Sequence, residues 1–376
     1  MTHPSVAIVG AGPQALALVL TLLDRDPTWR DRVTAIDPSG TWLSQWRTRF
    51  RHHRIDRLRS AGVHHPHPDP TSLRAHARRC DRLVELHAPY DQPGTELFDH
   101  YCDRLLLEAS LAPMVRHDEV VEVVPLPHRT LVVLRSGTAL EVDRAVLATN
   151  PLRRRLPPEA TGTTRPWRHS DDVDLTHETD LAGARIDVVG GGLTAVQLAV
   201  GAADQSARVR LLSRRPLVER AFDVHPGWLG PRHLDDYRRR DPRTRRQLID
   251  RARGGGSVPV HDLTRLRGSD VRHLVDDDAP TTALGGDADE VWFATGHQLD
   301  AAADPLLAQL RQRVPTEIHD GLPALDRDLA WPGTTVHLMG GYAALTLGPA
   351  ARNLWGARQG ADRIATTLAG SDAATA

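Results

Sequence analysis

The 376-residue chain contains no lysine. Every basic side chain apart from histidine is arginine, which excludes Schiff-base chemistry and a lysine nucleophile. Cysteine is nearly as scarce: Cys80 and Cys102 stand far apart and form no CxxC pair. The dithiol relay of a disulfide reductase is therefore ruled out, and the composition fits a reducing cytoplasm. Net charge is missing as well, with 47 Lys+Arg against 48 Asp+Glu and a formal balance of -1. Neither nucleic acid nor a membrane is then expected as the main partner. Long hydrophobic runs are absent, since the longest, Ala15 to Leu23, is too short to span a bilayer. The N-terminus enters an apolar strand at once, without a cationic leader. These absences describe a soluble cytoplasmic protein long enough for two or three domains, or for one inserted in another. The tail Ser371 to Ala376 is expected to fray.

What is present is a motif that occurs twice. VAIVGAGPQALALVLTLL opens with a β-branched strand, turns at Gly10, Gly12 and Ala15, and continues as an apolar helix. Gly10 permits the tight turn, and Gly12 lets a pyrophosphate approach the backbone at the helix N-terminus. A small residue at Ala15 lets helix and strand pack closely. Pro13 and Gln14 begin the helix beside the phosphates. The next strand, VTAID, ends in Asp37, placed to accept hydrogen bonds from a ribose.

The second copy, RIDVVGGGLTAVQLAV, carries Gly190, Gly192, Thr194 and Ala195 in the same places. Its following strand ends in Ser213, Arg214 and Arg215 where the first copy has an acid. Arginine there pairs with a 2′-phosphate, so the second site reads as NADPH against FAD at the first. The alternative is that these arginines are merely solvated at a strand end.

The rest of the chain fits two Rossmann-like α/β domains, the second inserted in the first. ATN at Ala148 to Asn150, with Thr149, and ATG at Ala294 to Gly296, with Thr295, each close a strand. TVHLMGG then leads through Gly348 and Pro349 into a helix, with Asn353 and Leu354 at its start, returning to the flavin. The expected boundaries are 1–178 and 297–376 for the FAD domain and 179–296 for the NADPH domain, with a helical insert at about 223–266. The run RRRDPRTRRQ within that insert reads as a solvated helix face, because aspartates interleave the arginines and aromatics are missing.

With these motifs together, the chain resembles the two-dinucleotide flavoprotein monooxygenases, most specifically the N-hydroxylating branch that acts on lysine and ornithine. Asp289 to Gly296 is similar to that family's Asp-to-ATG stretch, PGTELFDHYC (Pro93 to Cys102) to its proline, phenylalanine and tyrosine pattern, and His169-Ser170 to its His-Ser step. His297 stands where the family usually carries tyrosine. The Baeyer–Villiger signature FxGxxxHxxxW is not met. The resemblance implies that NADPH reduces FAD, that dioxygen forms a flavin C4a-hydroperoxide, and that a neutral amine of a small metabolite takes the distal oxygen. The rate should then rise with pH as the amine deprotonates. It also implies Val120 among the FAD contacts. Sulfur oxygenation, a flavin dehydrogenase or oxidase, and a redox sensor or partner-binding module remain as alternatives, and homo-oligomerisation is left open.

The stretch after Asp37 is read as the lining of the isoalloxazine, with Trp42 and Trp46 as flat apolar surface and Gln45 as an amide for the flavin edge or the substrate. Within it, RSAGVHHPHPDP (Arg59 to Pro70) offers His64, His65, His67 and Asp69. Prolines at 66, 68 and 70 make the segment stiff and extended, which separates the side chains too far to share one ion. No metal is assigned, and the stretch reads as a wall beside the flavin. Gln45, Arg59, His65 and Asn353 are the candidate groups nearest the reacting atoms.

Overall fold

A computed structural model describes residues 5–149, 153–178 and 181–375, with side chains as far as 370. Strand Val6–Val9 (β1), helix Pro13–Arg25 (α1) and strand Val33–Asp37 (β2) form the first βαβ unit, the two strands pairing in parallel. Proline at the first helical position needs no amide donor and fixes the helical φ, which starts α1 sharply after Gly12. Helices Ser44–His52 (α2), Ser72–Arg79 (α3) and Thr95–Glu108 (α4) follow before strand Val115–His117 (β3). A three-stranded antiparallel sheet, Val120–Pro125 (β4), Thr130–Leu134 (β5) and Ala139–Val142 (β6), precedes strand Arg144–Leu147 (β7).

The chain then leaves the first domain through Arg153–Arg154 (β8) and enters the second with Trp167–His169 (β9). The second βαβ unit is Arg185–Val189 (β10), Leu193–Ala203 (α5) and Arg208–Ser213 (β11). Three helices, Pro231–Arg239 (α6), Pro242–Arg253 (α7) and Val260–Arg267 (α8), come next. Arg272–Val275 (β12), Ala279–Gly285 (α9) and Glu290–Phe293 (β13) complete this domain. His297–Gln298 (β14) begins the return, followed by Pro305–Arg313 (α10), Val336–Leu338 (β15), Ala344–Leu347 (α11) and Leu354–Thr375 (α12).

Two five-stranded sheets result, ordered β15-β7-β1-β2-β3 and β9-β13-β10-β11-β12, with every pairing in both parallel. Each glycine turn sits at the carboxyl end of a central strand, where open α/β sheets bind ligands. The exit and return strands pair with each other: Arg153 faces Gln298 and Arg154 faces His297 in an antiparallel ribbon. This ribbon is the double connection between the domains.

Two boundaries differ from the sequence expectation. Strand β9 pairs in parallel with β13, so Trp167–His169 belong to the second sheet although the expected first domain ran to 178. A three-residue edge strand carries too little periodicity to be assigned from sequence. The insert also divides. Leu234, Tyr237 and Ile249 join the core of the first domain, whereas Leu263 and Leu266 of α8 pack with α5 in the second. Tyr237 fixes the first docking by donating to the carbonyl of Ala344 at 2.7 Å. The arginine run at 238–247 lies on ion-paired helix faces: Arg238 meets Asp235, Arg240 meets Asp236, and Arg246 meets Asp250. Asn150, the nominal boundary at Thr179 and the last residue, Ala376, lie outside the described residues. Among the described residues, no helix is long and apolar enough to cross a membrane.

Candidate functional site

The first glycine turn is shaped as the dinucleotide reading requires. Gly10 has φ +98, and a Cβ there would stand 3.4 Å from both the Ala148 carbonyl oxygen and Thr149 Cγ2. Around Gly12 nothing lies within 4 Å of a Cβ position, so the approach to the N-terminus of α1 is open. No side chain caps that terminus, which leaves its amides for an anion. Ala15 is fully buried against the sheet. Asp37 is oriented by three donors: the amide of Ala11 at 3.0 Å on one carboxylate oxygen, and the amide and hydroxyl of Ser39 at 2.9 and 2.6 Å on the other. Its remaining lone pairs suit ribose hydroxyls. The side-chain oxygen of Gln14 is buried without a partner, beside Gly340. An open cradle and an orphaned acceptor fit a bound FAD. Gly12→Val is expected to yield folded protein that retains no flavin, measured by absorbance after gel filtration, because the branched side chain fills the phosphate approach.

The second turn differs in its surroundings. Gly190 is required by close approach, since a Cβ would come within 2.4 Å of the Ala294 carbonyl oxygen. Thr194 is half-buried on the first turn of α5, and Thr295 donates its hydroxyl to the carbonyl of Arg155, which ties the ATG step to the linker. Gly296, at φ +82, accepts from the Arg155 amide at 3.0 Å. Arg214 and Arg215 are exposed, and among the described residues their guanidinium groups take part in no hydrogen bond or ion pair. Ser213 is otherwise engaged. It is buried, donates to the carbonyl of Arg215 at 2.7 Å and meets His273 at 2.8 Å. Its hydroxyl is thus engaged within the turn that presents the arginines. Gly254, Gly255 and Gly256 form a second lip here. A Cβ on Gly256 would lie 3.0 Å from the Gly191 carbonyl oxygen, and Arg215 lies against Gly255. A run of three glycines is the sequence signal that marks this lip.

A charged cluster joins the 223 loop, the end of α7 and the start of α12. Arg253 binds Asp223 at 2.6 Å and the carbonyl of Pro349 at 2.7 Å, and Asn353 donates to Asp223 at 2.9 Å. Burial pushes the Asp223 carboxyl up, but Arg253, Arg352 and Asn353 outweigh it and hold it below its usual range. Gly348, at φ +99, makes the turn into α12, and a Cβ there would strike Leu234 at 2.6 Å. Arg352 was missed in the sequence, although it adjoins Asn353. Burial, with Arg253, lowers its guanidinium to about 9. Among the described residues it has no hydrogen-bond or ion-pair partner. A cavity of about 500 Å³ is walled by Tyr90, Phe222, Val224, Trp228 and Leu248, with Arg220 and Arg251 also in its lining.

A family model described as FAD-NAD(P)-binding matches residues 7–151. No curated protein matches the sequence. Among solved structures, the ornithine N-hydroxylase of Kutzneria sp. 744 superposes with a TM-score of 0.74 at 18% identity, covering 99% of this chain and 100% of that one. The cadaverine monooxygenase of Erwinia amylovora, solved with FAD, gives 0.75 at 15% identity over 98% and 95%. L-lysine 6-monooxygenase from Pseudomonas syringae gives 0.71 at 17% identity over 97% and 99%. This chain has their fold.

Within that fold, the residues expected around the flavin have these surroundings. Trp42 is 4% exposed and its indole N–H donates to the carbonyl of Leu111 at 2.9 Å, so it is core and offers no face to a ligand. Trp46 is half-buried and stacks on Phe50 with ring centroids 4.2 Å apart. Gln45 is exposed on the same helix, and Leu354 is half-buried at the start of α12. Val120 is buried on β4. Arg59 is spent on backbone. It donates to the carbonyls of Ser257 and Arg220 at 2.9 Å, to that of Ala221 at 3.3 Å, and to the Ser257 hydroxyl at 2.8 Å. It ties the flavin-side loop to the second domain's lip and has little left for a substrate. Burial lowers it to about 10.

His65 is likewise structural. It is fully buried, between the Pro70 carbonyl at 3.3 Å and the Tyr101 hydroxyl at 3.2 Å. Arg358 of α12 clamps the same loop, donating to the carbonyls of Val63 and Pro68 at 2.9 and 2.7 Å. RSAGVHHPHPDP is therefore a strut between α4 and α12. Among the described residues, the converging groups of metal-ligating side chains do not include His64, His65, His67 or Asp69.

The His-Ser step sits at the interdomain ribbon. Asp171 receives His297 at 2.7 Å and Arg49 at 2.6 Å, and its amide donates to His169 Nδ1 at 3.2 Å. Burial pushes the Asp171 carboxyl up, but His169, His297 and Arg49 together hold it well below the carboxylate range. His297 at the position of the expected tyrosine thus locks the return strand to the second domain and to α2.

Proposed function

We propose that the chain is an FAD- and NADPH-dependent monooxygenase that N-hydroxylates an amine of a small metabolite. The observation that carries this reading is a pair of dinucleotide turns of unlike charge, Asp37 at one and unpaired Arg214 and Arg215 at the other. The solved proteins that share the fold act, by their names, on ornithine, lysine and cadaverine. FAD, when bound, supplies hydride acceptance from NADPH and the activation of dioxygen.

The chain's own residues bind, orient and exclude water. Gly10, Gly12 and the N-terminus of α1 would take the FAD pyrophosphate, and Asp37 would take its ribose. Arg214 and Arg215 would hold the 2′-phosphate of NADPH. The N-terminus of α12 would offer a partial positive charge to an electron-rich flavin edge, and Asp223 fixes the Asn353 amide at that terminus. The balance is amine plus dioxygen plus NADPH plus a proton, giving hydroxylamine, NADP⁺ and water. The aromatic cavity of Tyr90, Phe222 and Trp228 suits a substrate with an apolar body.

The test is to reconstitute the chain with FAD and follow NADPH and oxygen together with hydroxylamine formed from a panel of apolar and amino-acid amines. One hydroxylamine per NADPH, at a rate rising with pH as the amine deprotonates, is the expected result. Failure to bind flavin would end the reading, and hydrogen peroxide as the sole product with every amine would replace it with an oxidase.

A further inference from the structure

Away from both nucleotide turns, helices α3 and α4 bring together three side chains of metal-binding type. His76 and Cys80 are one helical turn apart, His76 on α3 and Cys80 at its C-cap, and so lie on the same side. His100 comes from the middle of α4. His76 Nε2 lies 3.1 Å from His100 Nδ1 and 3.9 Å from Cys80 Sγ, and all three candidate ligand atoms fall within 4.8 Å of one another. A tetrahedral zinc ion, with its usual Zn–N and Zn–S bonds, sets two nitrogens about 3.4 Å apart and nitrogen and sulfur about 3.6 Å apart. The two spacings from His76 Nε2 differ from these by about 0.3 Å, and the His100–Cys80 spacing lies within 4.8 Å.

From this geometry we propose that His76, Cys80 and His100 form a binding site for a thiophilic divalent cation of the zinc type, with a fourth position open to water. One thiolate and two imidazoles suit zinc or cobalt and discriminate against calcium and magnesium, which take oxygen ligands. His76 is fully buried. The site would clip α3, which buries only Leu73, His76 and Ala77, onto α4.

One contact opposes the ion and gives the proposal a distinctive sign. Arg104 Nη1 donates to His76 Nδ1 at 3.3 Å, but a ring that binds metal through Nε2 carries its proton on Nδ1. Arg104 must then release that contact, and it can, because its Nε already holds Glu108 at 2.7 Å. Removing the Arg104 charge should therefore tighten metal binding. The other converging group, His169, Asp171 and His297, is a poorer candidate because Arg49 and Arg154 already compensate Asp171.

The experiment uses the full chain, stripped with chelator and titrated with Co(II), whose tetrahedral ligand-field bands lie to the red of flavin absorption. One equivalent should produce intense tetrahedral bands, which zinc abolishes by displacement. Cys80→Ser should weaken Co(II) binding at least tenfold, and His100→Asn, at an exposed position that leaves the fold intact, should do the same. Arg104→Gln should strengthen it severalfold. Absence of tetrahedral bands in the wild-type chain, or their persistence unchanged in both Cys80→Ser and His100→Asn, would overturn the assignment.

Discussion

Alanine at both Arg214 and Arg215 is expected to weaken NADPH about a hundredfold or more while leaving NADH nearly unchanged. The argument is one of available charge. Arg168 and Arg210 of the same sheet are committed to Glu290 and Asp187, whereas, among the described residues, Arg214 and Arg215 are exposed without a partner at the end of β11, where the proposed reading puts a 2′-phosphate. A hydrogen bond to a charged group contributes about 1.5–3 kcal/mol. Two such contacts at the lower figure come to about 3 kcal/mol, or about two orders of magnitude in affinity. Because no protein partner is abandoned, stability should stay the same, and the loss should be confined to the phosphorylated coenzyme. The measurement is the dissociation constant of each coenzyme with the flavin oxidised. Equal losses for NADPH and NADH would mean that the arginines act on the shared part of the molecule.

This prediction could be made from sequence because the nucleotide turns are local. Gly10, Gly12, Ala15 and Asp37 must lie within one strand, turn, helix and strand, so their spacing carries their geometry. The second turn is legible for the same reason, and its arginines lie at a strand end that periodicity locates. What could not be read is long-range. Whether Trp42 faces a ligand depends on Leu111, 69 residues away, whose carbonyl takes its indole proton. Arg59 finds its partners at 220–257, across the domain boundary, and nothing in its neighbours reveals that. His65 was legible as part of a stiff loop but not as the partner of Tyr101. The convergence of His76, Cys80 and His100 falls in the same class. His76 and Cys80 show one helical turn of spacing, but the third ligand depends on how α3 packs against α4. Arg352 shows the converse, a local neighbour of Asn353 that had no motif to mark it.

The loop and the α3–α4 pair also lead to a second large effect, on stability in acid. His64, His65 and His76 are each lowered from 6.5 to about 4, with burial as the leading cause. The sign follows from proton counting. Below pH 6.5 the unfolded chain protonates these rings, whereas the folded chain does not until about pH 4, so the unfolded state binds more protons throughout that window. Stability is therefore full above pH 6.5 and falls as the pH drops toward 4, by about 1.4 kcal/mol per pH unit for each ring. For the fully buried His65 and His76 the loss reaches up to about 3 kcal/mol each, a large part of an ordinary domain's stability. Asp262 and Asp304, raised by burial, act in the opposite sense, so the test is a comparison between variants. With chelator present, urea unfolding of the wild type should lose stability steeply between pH 6.5 and 4.5. His65→Phe with His76→Gln should start less stable at pH 7 and show a slope shallower by about two protons. Tyr101 keeps the Ser72 hydroxyl as acceptor at 3.0 Å in that variant. An unchanged slope would place the acid sensitivity in other groups and show that these two rings are protonated in the folded chain.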